Sequence, residues 1–515
     1  MSDTDRSQGY VTDTTYVEKF FRELSPVWLN YVAALNGVRP RPVDKPFTYL
    51  ELGCGFGASA IVNAGAFPEG EFHACDINPS HIQTARTRAA EFGITLQFHE
   101  ASFQELLARD LPLFDFIVLH GVYSWVGPGA RHAVRQIIDR KLKHGGLVYI
   151  SYNCFPGWSI EAPLRKLLVE LASGETGNTA ERAAAGLKLL ENLSVSKLRY
   201  LTSNPATFSA LDSYIKGPSN YLVHEFLNEA WEPFYSVDVA EEMAAIGLSY
   251  AGSATLADNH LTLIVNDTAA GAVARLNTPQ QRQLAMDFAV DRRFRRDVFV
   301  RGAGPEPAAV SRYLPSTVIG TIDNPARITA KVKVPRGVVS FQQDFTNGVQ
   351  AVLVHGSIPL GDAVTALSST GGDKGEVLRN LTFLIAAGVL MPFAKEYDHD
   401  QSTAATSFAN PTVERILAYI VVRGADGALP SEVVGNGVPI SPAEALSVLT
   451  FISGARPVDQ LAASLKEECL LRDLKSPADN FSSAPETNRP DWARLTAQKA
   501  EDELVLKLIR GALLM

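Results

Sequence analysis

The sequence predicts an α/β protein in which a mainly parallel sheet, ending in an antiparallel hairpin, is followed by mostly helical accessory domains. Three observations lead to this prediction. Short β-type runs alternate with helical patterns over the first half, a glycine-rich turn follows the first run, and beyond residue 266 the pattern becomes helical. With 515 residues the chain is too long for one hydrophobic core, so several domains are expected.

Five runs rich in β-branched and aromatic residues are predicted to be strands, because such residues fit a pleated, half-buried surface. The runs are TYLEL (48–52), EFHACDI (71–77), LQFHEA (96–101), FDFIVLHG (114–121) and LVYISY (147–152). Their alternation with helical patterns predicts a parallel sheet, since parallel neighbours need a crossover connection.

Two helices between these strands have recognisable ends. Asn78 is a predicted N-cap before Pro79, and Gly93 closes that helix. A second helix is predicted from about Ala130 to Leu142, with a stop at Gly145 and the glycine after it. Both have one apolar face, as expected for helices that cover a sheet.

The sheet is predicted to end in a hairpin formed by LSYAGSATLA (248–257) and LTLIV (261–265), which gives a first domain over residues 1–266. The stretch 153–247 within it is longer than a single crossover requires and contains helical patterns. We therefore predict a helical insertion at 153–247 that lies over the sheet.

Three further domains are predicted behind the sheet: a helical middle segment over 267–335, a winged-helix-like domain over 336–400 and a helical C-terminal domain over 401–515 that ends in a last helix. The winged-helix prediction rests on 360–393, which reads helix, turn, helix and short strand. Its presumed second helix has few cations, so contact with protein is favoured over contact with DNA.

Composition and charge argue against several functional classes. A hydrophobic fraction of 46% with 20% charged residues is typical of a folded soluble protein, and a formal charge of −9 gives no electrostatic footprint for nucleic acid. The four cysteines lie far apart without a CxxC pair, so free thiols and no metal centre are expected. A start without a secretory signal and the lack of a long apolar stretch predict a cytoplasmic protein without membrane insertion.

The first predicted strand leads into the turn ELGCGFG (51–57). Glycines after a strand let the backbone turn sharply and approach a ligand closely. A dinucleotide site would have the spacing GxGxxG, whereas Gly53, Gly55 and Gly57 are spaced as GxGxG, two residues after Glu51. This spacing resembles the first motif of class I S-adenosylmethionine-dependent methyltransferases, whose sheet is Rossmann-like.

The resemblance implies a site for S-adenosyl-L-methionine at the strand ends. The turn would wrap the methionine part, and Asp76, which ends the second strand, would accept hydrogen bonds from both ribose hydroxyls. Ser102 stands where many relatives carry an acid that contacts the adenine. The implied cofactor-binding residues are Glu51, Gly53, Cys54, Gly55, Gly57, Asp76, Ile77, Ser102, Phe103 and His120.

The loops HGVYSWVG (120–127) and SYNCFPGW (151–158) follow the fourth and fifth strands, where ligands of parallel sheets bind. Methyl transfer needs alignment, desolvation and a deprotonated nucleophile. An aromatic pocket would lower the pKa of an incoming lysine and hold its charged forms by cation–π attraction. The predicted catalytic residues are Tyr123, Trp125, Trp158 and His120, with Phe155 as a further wall, although packing of the insertion explains any single aromatic equally well.

Several other residues are candidates for a role near these loops. His120 and His224 are candidates for relaying a proton and Glu225 for orienting an amine, but a lone histidine or acid is more often structural. Tyr10 and Tyr16 precede a helical segment that could close over the cofactor, and ordinary packing explains them equally well. The arginines of VDRRFRRDVFVR (290–301) are expected to be paired surface charges without a site role.

A wider resemblance joins both loops to residues 221–254 and to DFAVDRRFRRDVFVRG (287–302). Together they are similar to bacterial methyltransferases with a methyltransferase regulatory domain, whose best-understood members methylate lysines of outer-membrane proteins. The resemblance implies a protein lysine N-methyltransferase with a protein substrate and is compatible with a homodimer. Two other hypotheses stay open: a methyltransferase that acts on a metabolite or natural product, and a non-catalytic scaffold that binds the cofactor.

Overall fold

Seven strands form the central sheet of the fold. The computed structural model describes residues 18–195, 198–207, 209, 230–369, 372–398, 410–452 and 513. The strands are β1 (Thr48–Leu52), β2 (Glu71–Asp76), β3 (Gln97–Glu100), β4 (Phe114–Leu119), β5 (Leu142–Asn153), β6 (Leu248–Ser253) and β7 (Phe294–Arg301). Their order is β3-β2-β1-β4-β5-β7-β6; the first five are parallel, and β7 is antiparallel to both β5 and β6. All five predicted parallel strands are therefore confirmed.

Helices connect and cover these strands. They are α1 (Pro26–Leu35), α2 (Ala58–Ala66), α3 (Pro79–Phe92), α4 (Phe103–Leu107), α5 (Pro128–Lys141), α6 (Ala162–Ser173), α7 (Thr179–Val195), α8 (Arg199–Ser203) and α9 (Ser236–Ala244). The predicted ends of α3 are confirmed, because the Asn78 side chain accepts the Ser80 N–H at 3.0 Å and Gly93 has a φ of 72°. Behind α5, Leu142 begins β5, so the predicted stop at Gly145 is wrong.

The sheet is buried on both faces, as expected for parallel strands between crossover helices. On one face, Tyr49 and Phe116 pack in a core with α1. On the other face, Leu50 and Ile117 pack with α5 and α9. The strand order reverses between β1 and β4, and the carboxyl ends of the strands at such a reversal form the crevice in which open α/β sheets bind ligands.

The predicted hairpin at the sheet edge is wrong in its second strand. Residues Leu261–Ile264 are helical, and the strand that pairs with β6 is β7. Sequence analysis took Phe294–Arg301 for a basic cluster because Arg295 and Asp297 interrupt its apolar pattern. Both side chains are buried, where they pair with each other and Arg295 also pairs with Asp287 at 2.6 Å. Because its charged residues are buried in ion pairs, β7 lacks the alternation of apolar and polar residues by which a strand is recognised in a sequence.

The arginines of this region are paired, as expected, but not all lie at the surface. Arg292 contacts Asp258 at 2.8 Å, and Arg293 pairs with Glu161. Arg295 is buried, which corrects the prediction that these are surface charges. Removing one partner of a buried pair leaves an unpaired buried charge, so this cluster has a structural role.

Two predicted domain boundaries cut across paired strands. The boundary at residue 266 separates β6 from its paired strand β7. After β8 (Val318–Gly320), the chain forms the paired strands β9 (Lys331–Val334) and β10 (Gly337–Ser340). The boundary between 335 and 336 lies in the turn between these two strands. We propose that the first domain extends to Arg301, the last residue of the sheet. The division of the remaining chain stays a prediction.

The part of the chain after β6 contains mostly short helices and includes the region for which a winged-helix-like domain is predicted. The helices are α10 (Leu261–Ile264), α11 (Asp267–Ala274), α12 (Pro279–Ala289), α13 (Val310–Tyr313), α14 (Gln343–Leu353), α15 (Leu360–Ser368) and α16 (Lys374–Ala386), with the strands β11 (Ile358–Pro359) and β12 (Met391–Phe393). The predicted order of helix, turn, helix and strand over 360–393 is confirmed by α15, α16 and β12. Both β11 and β12 pair with β8.

Residues 410–452, which we call the C-terminal module, contain α17 (Pro411–Arg423), β13 (Gly427–Ser431), β14 (Asn436–Ile440) and α18 (Pro442–Ile452). The antiparallel pair β13-β14 corrects the prediction of a purely helical domain. Prolines and glycines within both strands disfavour a strand prediction. The predicted last helix lies outside the described residues, and no helix in the described ranges has the length and apolarity to cross a bilayer.

Candidate active site

An open cleft lies at the carboxyl ends of β1 and β4, where the strand order reverses. It encloses about 1170 Å³, part of it open to solvent. Nine of the ten residues predicted for the cofactor line this cleft. They are Glu51, Gly53, Cys54, Gly55, Asp76, Ile77, Ser102, Phe103 and His120.

The glycines of the turn after β1 have positive φ angles and meet different neighbours. A β-carbon on Gly53 would lie 2.4 Å from a methyl group of Val122, whereas one on Gly55 would have nothing within 4 Å. Gly55 therefore leaves open space beside its backbone in the cleft wall. Gly57 does not line the cleft; a β-carbon there would lie 3.1 Å from Ala85, so this glycine serves the packing of α2 against α3.

The carboxylate of Asp76 ends β2 and anchors the glycine turn. Its Oδ2 accepts the Gly55 N–H at 2.8 Å, and its Oδ1 accepts the Asn78 N–H at 2.9 Å. His81 Nδ1 lies 3.6 Å from Oδ1, and the His81 ring packs on Phe56. Because a carboxylate offers about four acceptor positions, Asp76 keeps capacity for two hydroxyl groups of a ligand.

Glu51 is the second carboxylate of the cleft wall and is only 5% exposed. Its Oε2 has no hydrogen-bond partner. Burial, and then the negative charge of Asp76, raises the pKa of Glu51 to about 8. A ligand with an ammonium group would supply the missing partner of this buried oxygen. The two carboxylates and the open turn thus fit an amino-acid-bearing nucleoside such as S-adenosylmethionine.

The state of Glu51 leads to a calorimetric prediction. With a pKa of about 8, Glu51 is mostly protonated at pH 7 in the free protein, and a bound ammonium group would favour its ionised form. Binding of S-adenosylhomocysteine at pH 7 is expected to release roughly 0.5 to 0.9 proton per molecule of protein. The number of protons is measured by calorimetry in several buffers, as the slope of the binding enthalpy against the ionisation enthalpy of the buffer. Glu51→Gln should abolish this dependence; an unchanged dependence in that variant would place the ammonium group elsewhere.

The same shift has a consequence for the free fold. The pKa of Glu51 in the folded protein lies above its ordinary value of 4.5, so its contribution to stability is fully present below about pH 4.5 and is lost as the pH rises from there to about 8. A bound ammonium group would reverse this loss. Ligand binding is therefore most stabilising relative to the free protein on the alkaline side of this range.

Ser102 and Phe103 form the end of the cleft beyond β3. The Ser102 hydroxyl accepts the Glu105 N–H at 3.2 Å, and the Ser102 N–H donates to the Glu105 carboxylate at 2.8 Å. This reciprocal pair is a capping box at the start of α4. The Ser102 hydroxyl is thus engaged in the helix cap, which fixes the Phe103 ring at the cleft wall.

His120 lines the cleft at the end of β4. Its Nδ1 lies 2.8 Å from the Tyr149 hydroxyl, and the ring of Phe21 packs against it with a centroid distance of 3.7 Å. Burial, followed by the positive charges of Arg296 and Lys19, lowers the pKa of His120 to about 3. The imidazole is therefore neutral at physiological pH and a weak base, which disfavours the predicted proton relay.

Of the predicted catalytic aromatic residues, Trp125 lines the cleft but Tyr123 and Trp158 do not. Tyr123 is buried on the other side of its turn, where its hydroxyl bonds to Glu242 and accepts a hydrogen bond from Arg135 at 3.0 Å. Successive residues of a short turn point in different directions, so only one of two neighbouring aromatics faces the cleft.

Trp158 packs in a separate cluster of the inserted helices. Its ring meets Trp231 edge to face at 5.1 Å, and the Arg293 guanidinium lies 4.5 Å from the ring centroid. The loop behind β5 turns this way because the Cys154 N–H donates to the Arg293 carbonyl at 2.9 Å. Phe155 packs on Tyr235 and likewise does not line the cleft.

Some cleft residues were not predicted from the sequence. Glu18, Lys19 and Phe21 reach the cleft from the segment before α1, and Phe56 and His81 complete the wall beside Asp76. Phe56 lies within the glycine turn, so its position in the sequence could have indicated a place in the cleft. The other residues reach the cleft through tertiary contacts that the sequence does not indicate. His224, Glu225, Tyr10 and Tyr16 lie outside the described residues.

Two protein families match parts of this chain. Residues 50–146 match a family described as a methyltransferase domain, and residues 218–301 match one described as a predicted methyltransferase regulatory domain. The first match contains the glycine turn, both acids and His120. The second contains β6 and β7, which complete the sheet.

Relatives extend this likeness over most of the chain. An uncharacterized protein of Synechocystis sp. is 32% identical over 445 residues, which are 86% of this chain and 87% of that protein. An uncharacterized protein of Rickettsia prowazekii is 30% identical over 53% of this chain and 49% of that protein. The structure of PKMT2 from Rickettsia typhi in complex with AdoHcy is similar in fold, with a TM-score of 0.68 and 18% identity over 97% of this chain and 100% of that chain.

Proposed function

Because the chain belongs to the S-adenosylmethionine-dependent methyltransferases that carry a methyltransferase regulatory domain, we propose that it transfers methyl groups to lysine side chains of a protein substrate. The enzyme class follows from the family, and the acceptor is the proposal. The observation that supports it best is the likeness in fold to PKMT2 from Rickettsia typhi, which covers 97% of this chain and includes the accessory domains.

The cofactor supplies a methyl group on a positively charged sulfur when it is bound. Glu51 would hold the ammonium group of its amino acid part, and Asp76 would accept hydrogen bonds from its ribose hydroxyls. The backbone at Gly55 leaves room for close approach. These residues would fix the cofactor at its two polar ends. Alignment of the acceptor would then fall to other residues that line the cleft.

Three further cleft residues have the properties that an amine acceptor requires. Phe21, His120 and Trp125 line the cleft, and His120 is neutral because burial lowers its pKa to about 3. The neutral imidazole does not repel an ammonium group, and the aromatic faces attract it. Lys19, whose ammonium group lies 5.9 Å from the centroid of the Phe21 ring, is a positive charge that also lines the cleft. Exclusion of water also lowers the pKa of an entering lysine, so the free amine, which is the nucleophile, becomes more populated.

Radiolabelled cofactor tests the proposed acceptor. Purified enzyme incubated with methyl-labelled S-adenosylmethionine and a bacterial lysate is expected to label polypeptides, and mass spectrometry of digests should find the added methyl groups on lysine. The Asp76→Ala variant serves as the inactive control for label that other enzymes transfer. Both fractions of the lysate, macromolecular and low-mass, are counted.

Other results would replace the proposal. Label confined to the low-mass fraction would support a methyltransferase of metabolites, and label on carboxylate groups of proteins would move the acceptor from nitrogen to oxygen. Binding of the cofactor without any turnover would favour the scaffold hypothesis. In each case the proposal of lysine methylation is overturned, whereas the cofactor cleft is not.

A further inference from the structure

Residues 18–25, which we call the N-terminal segment, form one side of the cofactor cleft. Glu18, Lys19 and Phe21 line the cleft, and the Phe21 ring packs on His120. The segment has little regular structure besides a single 3₁₀ turn at Arg22–Leu24. Its position against the cleft must therefore come from contacts with other parts of the chain.

The C-terminal module supplies several of these contacts. Arg423 at the end of α17 lies 3.2 Å from a carboxylate oxygen of Glu18. The Asn436 side chain donates to the Arg22 carbonyl at 3.1 Å, and the Ser25 hydroxyl donates to the Gly435 carbonyl. Gly437, Asn436 and Gly435 are consecutive residues at the start of β14 and the turn before it. The β13-β14 turn and α17 therefore hold the segment from the side opposite the cleft.

The fit between β14 and the N-terminal segment is close. A β-carbon on Gly437 would lie 2.7 Å from the ring of Phe20. Real β-carbons essentially never approach a neighbour this closely, so a larger residue at position 437 would push against Phe20. Phe20 and Phe21 are adjacent, and one faces the module while the other faces the cleft.

The C-terminal module is also attached directly to the half of the sheet that carries the cofactor residues. The Thr412 hydroxyl donates to the Phe92 carbonyl at 2.9 Å, and the Arg88 guanidinium lies 4.9 Å from the Tyr419 ring centroid. Arg88 pairs with Glu18 at 2.5 Å and donates to the Phe56 carbonyl, in the glycine turn, at 3.3 Å. Glu18 is thus held by one arginine from α3 and one from the module.

We propose that the C-terminal module is part of the cofactor-binding apparatus: it holds the N-terminal segment against the cleft, with Arg423 and Asn436 as positioning residues. No residue of the module lines the cleft within the part of the chain that the structure describes, so it acts through the segment. If the segment leaves its position, the fraction of binding-competent molecules falls and the apparent Kd of the cofactor rises in proportion. This inference concerns the cofactor and does not depend on which acceptor is methylated.

Arg423→Gln tests the proposal, with Arg415→Gln as the matched control on the same helix. Arg415 is exposed and does not line the cleft. Arg423→Gln is expected to raise the Kd for S-adenosylhomocysteine roughly three- to tenfold by calorimetry, as loss of a partly buried ion pair would. The control should bind like the wild-type protein. Hydrogen exchange of a peptide that spans residues 18–25 should become faster in Arg423→Gln and stay unchanged in the control.

A double-mutant cycle separates this coupling from a merely structural role. In a Glu18→Gln background the Arg423→Gln substitution should have no further effect on the Kd, because the pair is already broken. Gly437→Leu provides an independent route, since it displaces Phe20 without removing any charge, and it should also raise both the Kd and the exchange at 18–25. Unchanged Kd and unchanged exchange in Arg423→Gln and Gly437→Leu, in proteins that remain folded, would overturn the proposal. Additive effects in the cycle would overturn it as well.

Discussion

Asp76→Ala is expected to weaken the binding of S-adenosylhomocysteine by about 2 to 4 kcal/mol, because the variant loses the two charge-assisted hydrogen bonds to the ribose hydroxyls that we propose for this carboxylate. The same carboxylate accepts the Gly55 N–H, so the glycine turn also loses an anchor. In terms of affinity the loss corresponds to roughly a 30- to 1000-fold rise in Kd. Isothermal titration calorimetry measures it on protein whose fold is checked by circular dichroism.

Glu100→Ala is the matched control for this prediction. Glu100 lies beside Asp76 in the register of β2 and β3, carries the same charge, is exposed and does not line the cleft. The control should bind S-adenosylhomocysteine with wild-type affinity. If Asp76→Ala also kept that affinity, the ribose would have to bind elsewhere. An equal loss in both variants would instead indicate a general effect of charge at this edge of the sheet.

Asp76→Ala also has an expected effect on its neighbour. The charge of Asp76 is the second cause, after burial, that raises the pKa of Glu51. Without it the pKa of Glu51 should fall, and fewer protons should be released when the ligand binds at pH 7. Proton release measured in this variant therefore reports whether the two carboxylates act on the same ligand.

The cleft residues at the ends of β1 and β2 could be predicted to lie together because these strands are adjacent in the sheet. A glycine turn after β1 and an acid at the end of β2 are local patterns, and parallel strands bring them to one edge. The sequence could not indicate which neighbouring residue excludes a side chain at each glycine of the turn. Val122 and Ala85, which exclude side chains at Gly53 and Gly57, approach from other elements.

The aromatic residues of the loops after β4 and β5 were predicted less well, because the direction of a loop depends on the residues that it contacts elsewhere in the fold. In the loop after β5, Cys154 donates a backbone hydrogen bond to Arg293, the residue before β7, and Trp158 packs away from the cleft against Trp231. The sequence analysis placed the second strand of the edge hairpin at 261–265, so β7 was absent from its sheet.

Sequence analysis indicated only that a helical segment after Tyr10 and Tyr16 could close over the cofactor, and the contacts that hold residues 18–25 at the cleft could not be predicted. Phe21 reaches His120 because residues far along the chain, among them Arg423 and Asn436, hold the segment in place. Separations of about 400 residues leave no periodicity or spacing that sequence analysis can recognise. The contacts also explain why the segment needs no regular secondary structure of its own.

Trp125→Ala is expected to lower kcat roughly 10- to 100-fold while the Kd for S-adenosylhomocysteine stays within about twofold of the wild-type value. Trp125 follows β4, whereas Glu51 lies in β1 and Asp76 ends β2, so its loss should leave both carboxylates and their proposed cofactor contacts in place. The acceptor would lose both an aromatic face and part of the exclusion of water. Single-turnover kinetics with saturating cofactor measures the effect.

Trp125 is only 9% exposed, so the alanine variant loses packing as well, at a cost of about 3 to 5 kcal/mol in stability. Trp125→Phe keeps an aromatic face and should retain more turnover than Trp125→Ala at nearly wild-type stability. Trp158→Phe is the matched control, since this residue was predicted for the same pocket but packs between Trp231 and Arg293; its turnover should not change. A loss of cofactor affinity that parallels the loss of turnover in Trp125→Phe would mean that Trp125 contacts the cofactor and that the acceptor enters from another side of the cleft.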